Sequence, residues 1–133
     1  EMCIRDSKRT IDMGADFGIS PGFETEILKY AQENKFSYIP GVSTASEIIS
    51  CLKFDCNFLK LFPAEPLGGI SYLNSLSGPF PDVSFCPTGG INSDNYLSWL
   101  SQKNVLCVGG SWIAPKNDNN YDKIKKRALE VFK

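Results

Sequence analysis

The chain has 133 residues, 42% hydrophobic and 22% charged, with a formal net charge of -1, which places it among ordinary globular domains and excludes disordered and fibrous classes. Its basic residues are scattered except at Lys123-Ile124-Lys125-Lys126-Arg127, which suits a solvated helix face, so no nucleic-acid surface is expected. No apolar stretch approaches the ~20 residues of a membrane-spanning helix, and the absence of His removes every Ser-His-Asp or Cys-His triad and every zinc site with an imidazole ligand.

Chemistry must therefore fall on Lys, carboxylates, Cys, Tyr or backbone dipoles. The five cysteines form no C-x-x-C pair, and Cys86 and Cys107 sit inside apolar runs where a thiol acts as a small hydrophobe. This pattern, with no evident signal peptide, predicts a reducing, cytoplasmic setting without a disulfide framework. Residues 1–7 fit poorly with the rest of the chain and read as a translated adapter scar, so the organised chain is expected to run over 8–133 as one truncated domain.

Five short apolar runs then recur, each ending in Pro or Gly and each followed by helical spacing. The first covers 16–22 and closes on Pro21-Gly22, with Phe23, Ile27 and Ala31 marking an amphipathic stretch behind it. The second, Tyr38-Ile39-Pro40-Gly41, precedes Thr44-Ala45-Ser46-Glu47, a capping box that opens a helix with Ile48, Ile49 and Leu52. The third covers 58–64, holds Lys60, and is followed by Ile70, Leu73 and Leu76. The fourth covers 84–90, after which Asn92 is placed to cap a helix presenting Tyr96, Trp99 and Leu100. The fifth covers 105–110, and Tyr121, Ile124, Ala128 and Val131 then share one face of a last helix. Such runs suit strands buried on both faces, which makes the class α/β with a parallel sheet. Five βα units do not close a barrel of eight, so an open doubly wound sheet and the last five-eighths of a barrel both stand.

Lys60 interrupts Phe58-Leu59-Lys60-Leu61-Phe62, otherwise a plain buried strand. Burial there disfavours the ammonium and yields the neutral amine that condenses with a ketone. A lysine that snorkels from an edge strand or pairs with a carboxylate is the structural alternative. Thr88-Gly89-Gly90 and Gly109-Gly110-Ser111 lie at adjacent strand ends, each read as preceding a helix, where close backbone approach and free N–H groups suit an anion. Tight corners alone would explain either pair. Pro21, Pro40, Pro63 and Pro87 end strands, Glu65 reads as a structural loop carboxylate more readily than as an acid or base, and Trp99 and Trp112 read as packing residues.

Leu59-Lys60-Leu61-Phe62-Pro63-Ala64-Glu65 resembles the 2-keto-3-deoxy-6-phosphogluconate (KDPG) and 4-hydroxy-2-oxoglutarate (KHG) aldolases. The resemblance extends in order through Gly18-Ile19-Ser20-Pro21-Gly22, 39–44, 85–91 and 105–112, with Leu61 replacing a common aromatic. It implies a class I aldolase on a (β/α)8 TIM barrel, homotrimeric when full-length, without metal or cofactor. Lys60 falls on the Schiff-base lysine, Pro21, Phe62 and Thr88 on substrate-lining residues, and Gly89, Gly90, Gly109, Gly110 and Ser111 on the phosphate site. The implied substrate is a phosphorylated 2-keto sugar acid of the Entner-Doudoroff pathway, cleaved to pyruvate and glyceraldehyde 3-phosphate. The implied general base, a glutamate on an early strand, falls upstream of residue 8, so this chain alone is expected to be weakly active or inactive. Another phosphate-binding barrel enzyme and a non-catalytic half-barrel are the alternative readings.

Overall fold

The structure, a computed structural model, describes residues 4–131. In chain order the elements are α1 (Ile4–Asp12), β1 (Phe17–Ile19), α2 (Thr25–Glu33), β2 (Ser37–Ile39), β3 (Gly41–Val42), α3 (Ala45–Leu52), β4 (Phe58–Leu61), α4 (Gly69–Ser77), β5 (Ser84–Pro87), α5 (Tyr96–Leu100) and α6 (Tyr121–Val131). Every strand pairing is parallel: β1 with β2, and β3-β4-β5 as a second sheet. The α/β class and parallel pairing match the sequence expectation. A helix outside the five expected units opens the described chain, since α1 starts at Ile4 within the segment set aside at the N-terminus. Lys8 Nζ stands 5.7 Å from the centre of the Tyr30 ring on α2. Residues 1–3, including Cys3, lie outside the described residues.

Local chemistry explains most element boundaries. Thr44 accepts a bond from the Glu47 N–H while Glu47 Oε2 accepts from the Thr44 N–H at 2.8 Å and the Ser43 N–H at 2.7 Å, so the expected capping box starts α3. Burial alone would raise the Glu47 pKa, but these bonds outweigh it and hold the carboxyl below its ordinary value. Pro40 splits the second apolar run into β2 and β3, because it supplies no ladder donor. Its carbonyl still accepts from the Lys60 N–H at 2.8 Å, so it connects the two sheets. Gly41 is required where it stands: a Cβ there would lie 2.2 Å from the Pro21 carbonyl.

Burial is one-sided on β4, while β3 is buried at both residues and β5 is buried on both faces from Phe85 to Pro87. On β4, Leu59 and Leu61 are fully buried, while Phe58 and Lys60 are half-open; on β5, Phe85 and Pro87 are buried against the same core. That core gathers Leu28, Ile48, Leu73, Leu76 and Trp99 from the helices against Val42, Leu59, Leu61 and Phe85. Ile49, expected on the inner face of α3, is 50% exposed, and Cys51 takes its place. The opposite sheet face carries the polar side chains, and the candidate site lies there.

The fifth run does not form a strand. It makes only two isolated parallel bridges, Phe85 with Val105 and Thr88 with Gly109. Three residue steps separate the bridges on β5 but four on the partner segment, so one extra residue breaks the ladder. Leu106 and Cys107, expected in the core, are exposed. α6 likewise buries none of its residues, and Tyr121, expected on an inner face, is 82% exposed. Arg127 attaches α6 to the preceding loop through Asp118 and the Ile113 carbonyl, the latter at 2.8 Å.

Candidate active site

Lys60 occupies the middle strand of its sheet, in register with Gly41 on β3 and Cys86 on β5. It is neither on an edge strand nor in an ion pair, the two circumstances that would have made it structural; among the described residues the ion pair seen is Arg127 with Asp118. Burial pushes the Lys60 amine below its ordinary value, and the neighbouring Cys86 thiolate pulls it partly back. Its Nζ stands 4.8 Å from the centre of the Phe62 ring, which excludes water on one side.

The loops after β4 and β5 are bound to one another. The Ala64 N–H donates to the Thr88 carbonyl at 2.8 Å and the Glu65 N–H to the Gly89 carbonyl at 3.0 Å. Gly90, at φ 87°, runs so close to Glu65 that a Cβ would fall 2.5 Å from the Glu65 Cβ. The Glu65 carboxylate turns away from Lys60, and its Oε1 accepts from the buried Trp99 indole at 2.8 Å and from the Asn95 amide at 3.2 Å. The same Asn95 amide donates to the Gly90 carbonyl at 3.1 Å. Glu65 therefore holds the Gly89-Gly90 loop to α5, a structural role.

Thr88 bridges Gly109, and a Cβ at Gly110 would approach the Ile91 carbonyl to 2.9 Å, so the two glycine loops adjoin. The N–H groups of Gly89, Gly90, Gly110 and Ser111 donate to no described residue. Neither loop leads directly into a helix, contrary to the sequence expectation: α5 begins at Tyr96 and α6 at Tyr121. Asn92 caps the turn that leads into α5, as expected: its Oδ1 accepts from the Asp94 N–H at 2.8 Å, its carbonyl accepts from the Tyr96 N–H at 3.1 Å, and its own N–H donates to Asn95 Oδ1 at 2.8 Å. Any anion affinity here thus rests on loop N–H groups and the Thr88 hydroxyl rather than on a helix dipole.

A family model described as KDPG and KHG aldolase matches residues 5–127. The chain belongs to this family. The KHG/KDPG aldolase of Escherichia coli is 45% identical over 123 residues, covering 90% of this chain and 58% of that protein. The 2-dehydro-3-deoxy-phosphogluconate aldolase of Dickeya dadantii is 45% identical over 121 residues, covering 89% and 57%. Among solved structures, the KDPG aldolase of Legionella pneumophila with pyruvate captured as a covalent carbinolamine superposes with a TM-score of 0.91 at 43% identity, covering 96% of this chain and 63% of that one. The Zymomonas mobilis 2-keto-3-deoxy-6-phosphogluconate aldolase with 3-phosphoglycerate gives 0.88 at 35% identity, covering 94% and 59%. The chain thus spans just over half the length of the curated relatives it matches.

Within this KDPG/KHG aldolase chain, the structure groups Lys60 with Phe62, and Thr88, Gly89 and Gly90 with Gly109 and Gly110. Pro21 reaches the same end of the sheet through its contact with Gly41. Ser111 is exposed beyond Gly110. The sequence reading missed the position of Cys86 beside Lys60, where the Cys107 thiol, the Thr88 hydroxyl and the Lys60 charge lower the Cys86 pKa to about 7 against the effect of burial. No local signal could have revealed it, because parallel register is set by distant residues. The Glu65–Trp99 bond was equally invisible, although Trp99 was correctly read as packed.

Proposed function

We propose that this chain is the Lys60-bearing part of a (β/α)8-barrel class I aldolase, residues 8–133 supplying five of its βα units. The observation that carries the reading is the placement of an unpaired, half-buried amine on a central strand, beside an aromatic ring and two anion-ready loops. In the reaction proposed, Lys60 adds to the C2 ketone of a 2-keto-3-deoxy-6-phospho sugar acid, and loss of water leaves an iminium. The C3–C4 electron pair then flows into that iminium as a base removes the C4 hydroxyl proton, releasing glyceraldehyde 3-phosphate and leaving an enamine. Protonation of the enamine at C3 and hydrolysis return Lys60 and free pyruvate.

The carbinolamine held by the Legionella aldolase supports the first step by kinship, and the 3-phosphoglycerate in the Zymomonas enzyme supports a phosphorylated substrate. Phe62 and Pro21 would line the substrate, and Thr88 would bind it with its hydroxyl. Gly89, Gly90, Gly109, Gly110 and Ser111 would cradle the phosphate by close backbone approach, four of them through N–H groups. Glu65 is occupied by Trp99 and Asn95, so the reading takes its general base from βα units N-terminal to residue 8. The full-length protein is proposed to act as a cytoplasmic homotrimer. Full-length protein should release pyruvate from KDPG, while its Lys60→Met variant should release none. Cleavage by that variant at the unmutated rate would overturn the proposal, and preference for 4-hydroxy-2-oxoglutarate would transfer it to the KHG substrate.

A further inference from the structure

Two thiols meet beside Lys60, and the imine chemistry uses neither. Cys86 is 5% exposed on the same sheet face as Lys60, its Sγ 3.9 Å from Thr88 Oγ1. Cys107 lies on the neighbouring segment between the two bridges that tie it to β5, secured by the Leu106 N–H on the Phe85 carbonyl at 3.1 Å and the Gly109 N–H on the Pro87 carbonyl at 2.9 Å. In an unbroken ladder Leu106 would oppose Cys86 and Cys107 would face away. The extra residue between the bridges undoes that alternation: counted back from the Thr88–Gly109 bridge, Cys107 opposes Cys86 on the same sheet face, where it lowers the Cys86 thiol. Adjacent strands lie about 4.8 Å apart, within the Cα separation a disulfide spans without backbone movement.

We propose that Cys86 and Cys107 form a redox modification site, a cross-strand thiol pair that a hydroperoxide converts to a disulfide one strand away from Lys60. The Cys86 thiolate attacks the O–O bond of hydrogen peroxide, which gives the sulfenic acid and a hydroxide that takes up a proton to become water. The Cys107 sulfur then displaces the sulfenic hydroxyl, which leaves as water with the Cys107 proton. Two thiols and one peroxide thus give one disulfide and two waters. Cys107, Thr88 and Lys60 lower the Cys86 thiol against the effect of burial, which favours its reactive thiolate. Cys107 is exposed, and it borders an open groove with Leu100, Leu106, Val108 and Ile113 through which an oxidant can arrive. The other close pair, Cys51 and Cys56, makes an internal control: burial raises both thiols, Cys51 to about 12, so they remain protonated.

The inference does not depend on the aldolase reading and is tested on the chain itself. Brief hydrogen peroxide treatment, thiol blocking and peptide mapping should find Cys86 linked to Cys107, and dithiothreitol should reverse the link. A Cys51→Ser/Cys56→Ser variant should form it at an unchanged rate. Cys107→Ser changes an exposed residue and should fold normally; it should halt at a Cys86 sulfenic acid that dimedone captures. Preferential linkage of Cys51 to Cys56 or of either site cysteine to Cys3, or oxidation of all thiols at similar rates, would overturn the proposal.

Discussion

Glu65 separates a structural from a catalytic account of the loop after Lys60. Its Oε1 accepts from the Trp99 indole at 2.8 Å and the Asn95 amide at 3.2 Å, and Trp99 is fully buried. Glu65→Gln keeps a carbonyl oxygen in the same place and loses only the charge assistance, a cost of roughly 1 kcal/mol. Glu65→Ala removes the acceptor, leaves a buried indole N–H without a partner and frees the Gly90 loop from α5, a cost of about 2–3 kcal/mol. Urea unfolding followed by tryptophan fluorescence and circular dichroism would measure both. The variants should also behave alike toward pyruvate, each still forming the Lys60 imine. A Glu65→Ala cost no larger than that of Glu65→Gln would refute the structural assignment, and loss of enamine proton exchange in a fully folded Glu65→Gln variant would reinstate Glu65 as the base.

Four further outcomes rest on the same geometry. Because the Lys60 amine is depressed in the fold, the unfolded chain binds its proton more tightly, and its contribution to stability improves as pH rises from the folded value toward 10.5. Lys60→Met should therefore stabilise the chain near neutrality, with a gain that narrows toward that pH in thermal melts. Cys86→Ser removes the charge that raises the Lys60 amine, so competitive amine labelling should report a lower Lys60 pKa than in the unmutated chain. Thr44→Ala should cost about 1 kcal/mol of unfolding free energy; the share carried by Glu47 is present above pH 4.5 and fades as pH falls through the lowered Glu47 value. Gly90→Ala meets the Glu65 Cβ at 2.5 Å from a φ of 87°, and it should lower the melting temperature by an amount equivalent to about 2 kcal/mol.

What the sequence disclosed was chiefly local. The Thr44–Glu47 capping box is read from four residues, and the helical spacing of Ile27 and Ala31 or Leu73 and Leu76 marks faces that are indeed buried. The oddity of Lys60 needs only its four neighbours. Features that depend on register were hidden: Lys60 opposes Cys86 because Leu61 pairs with Pro87, a choice made by packing across the sheet. Two-sided burial was inferred from apolar content and holds for β3 and for Phe85 to Pro87, yet Phe58 and Phe62 are only partly buried on the Lys60 face. The last run fails as a strand because one extra residue breaks its ladder, and nothing in 105–110 itself announces a bulge. The Asn92 cap was legible for the same reason as Thr44, because Asp94, Asn95 and Tyr96 supply all its partners locally.

The central claim is that the Lys60 nitrogen is the nucleophile, and reduction of the imine in place tests it most directly. The chain would be incubated with pyruvate and sodium borohydride near neutral pH, then digested and mapped by mass spectrometry. A single adduct is expected, with the mass of pyruvate less water plus two hydrogens, located on Lys60 and absent from Lys60→Met. An adduct spread over the exposed lysines, or none on Lys60 in the folded chain, would contradict it.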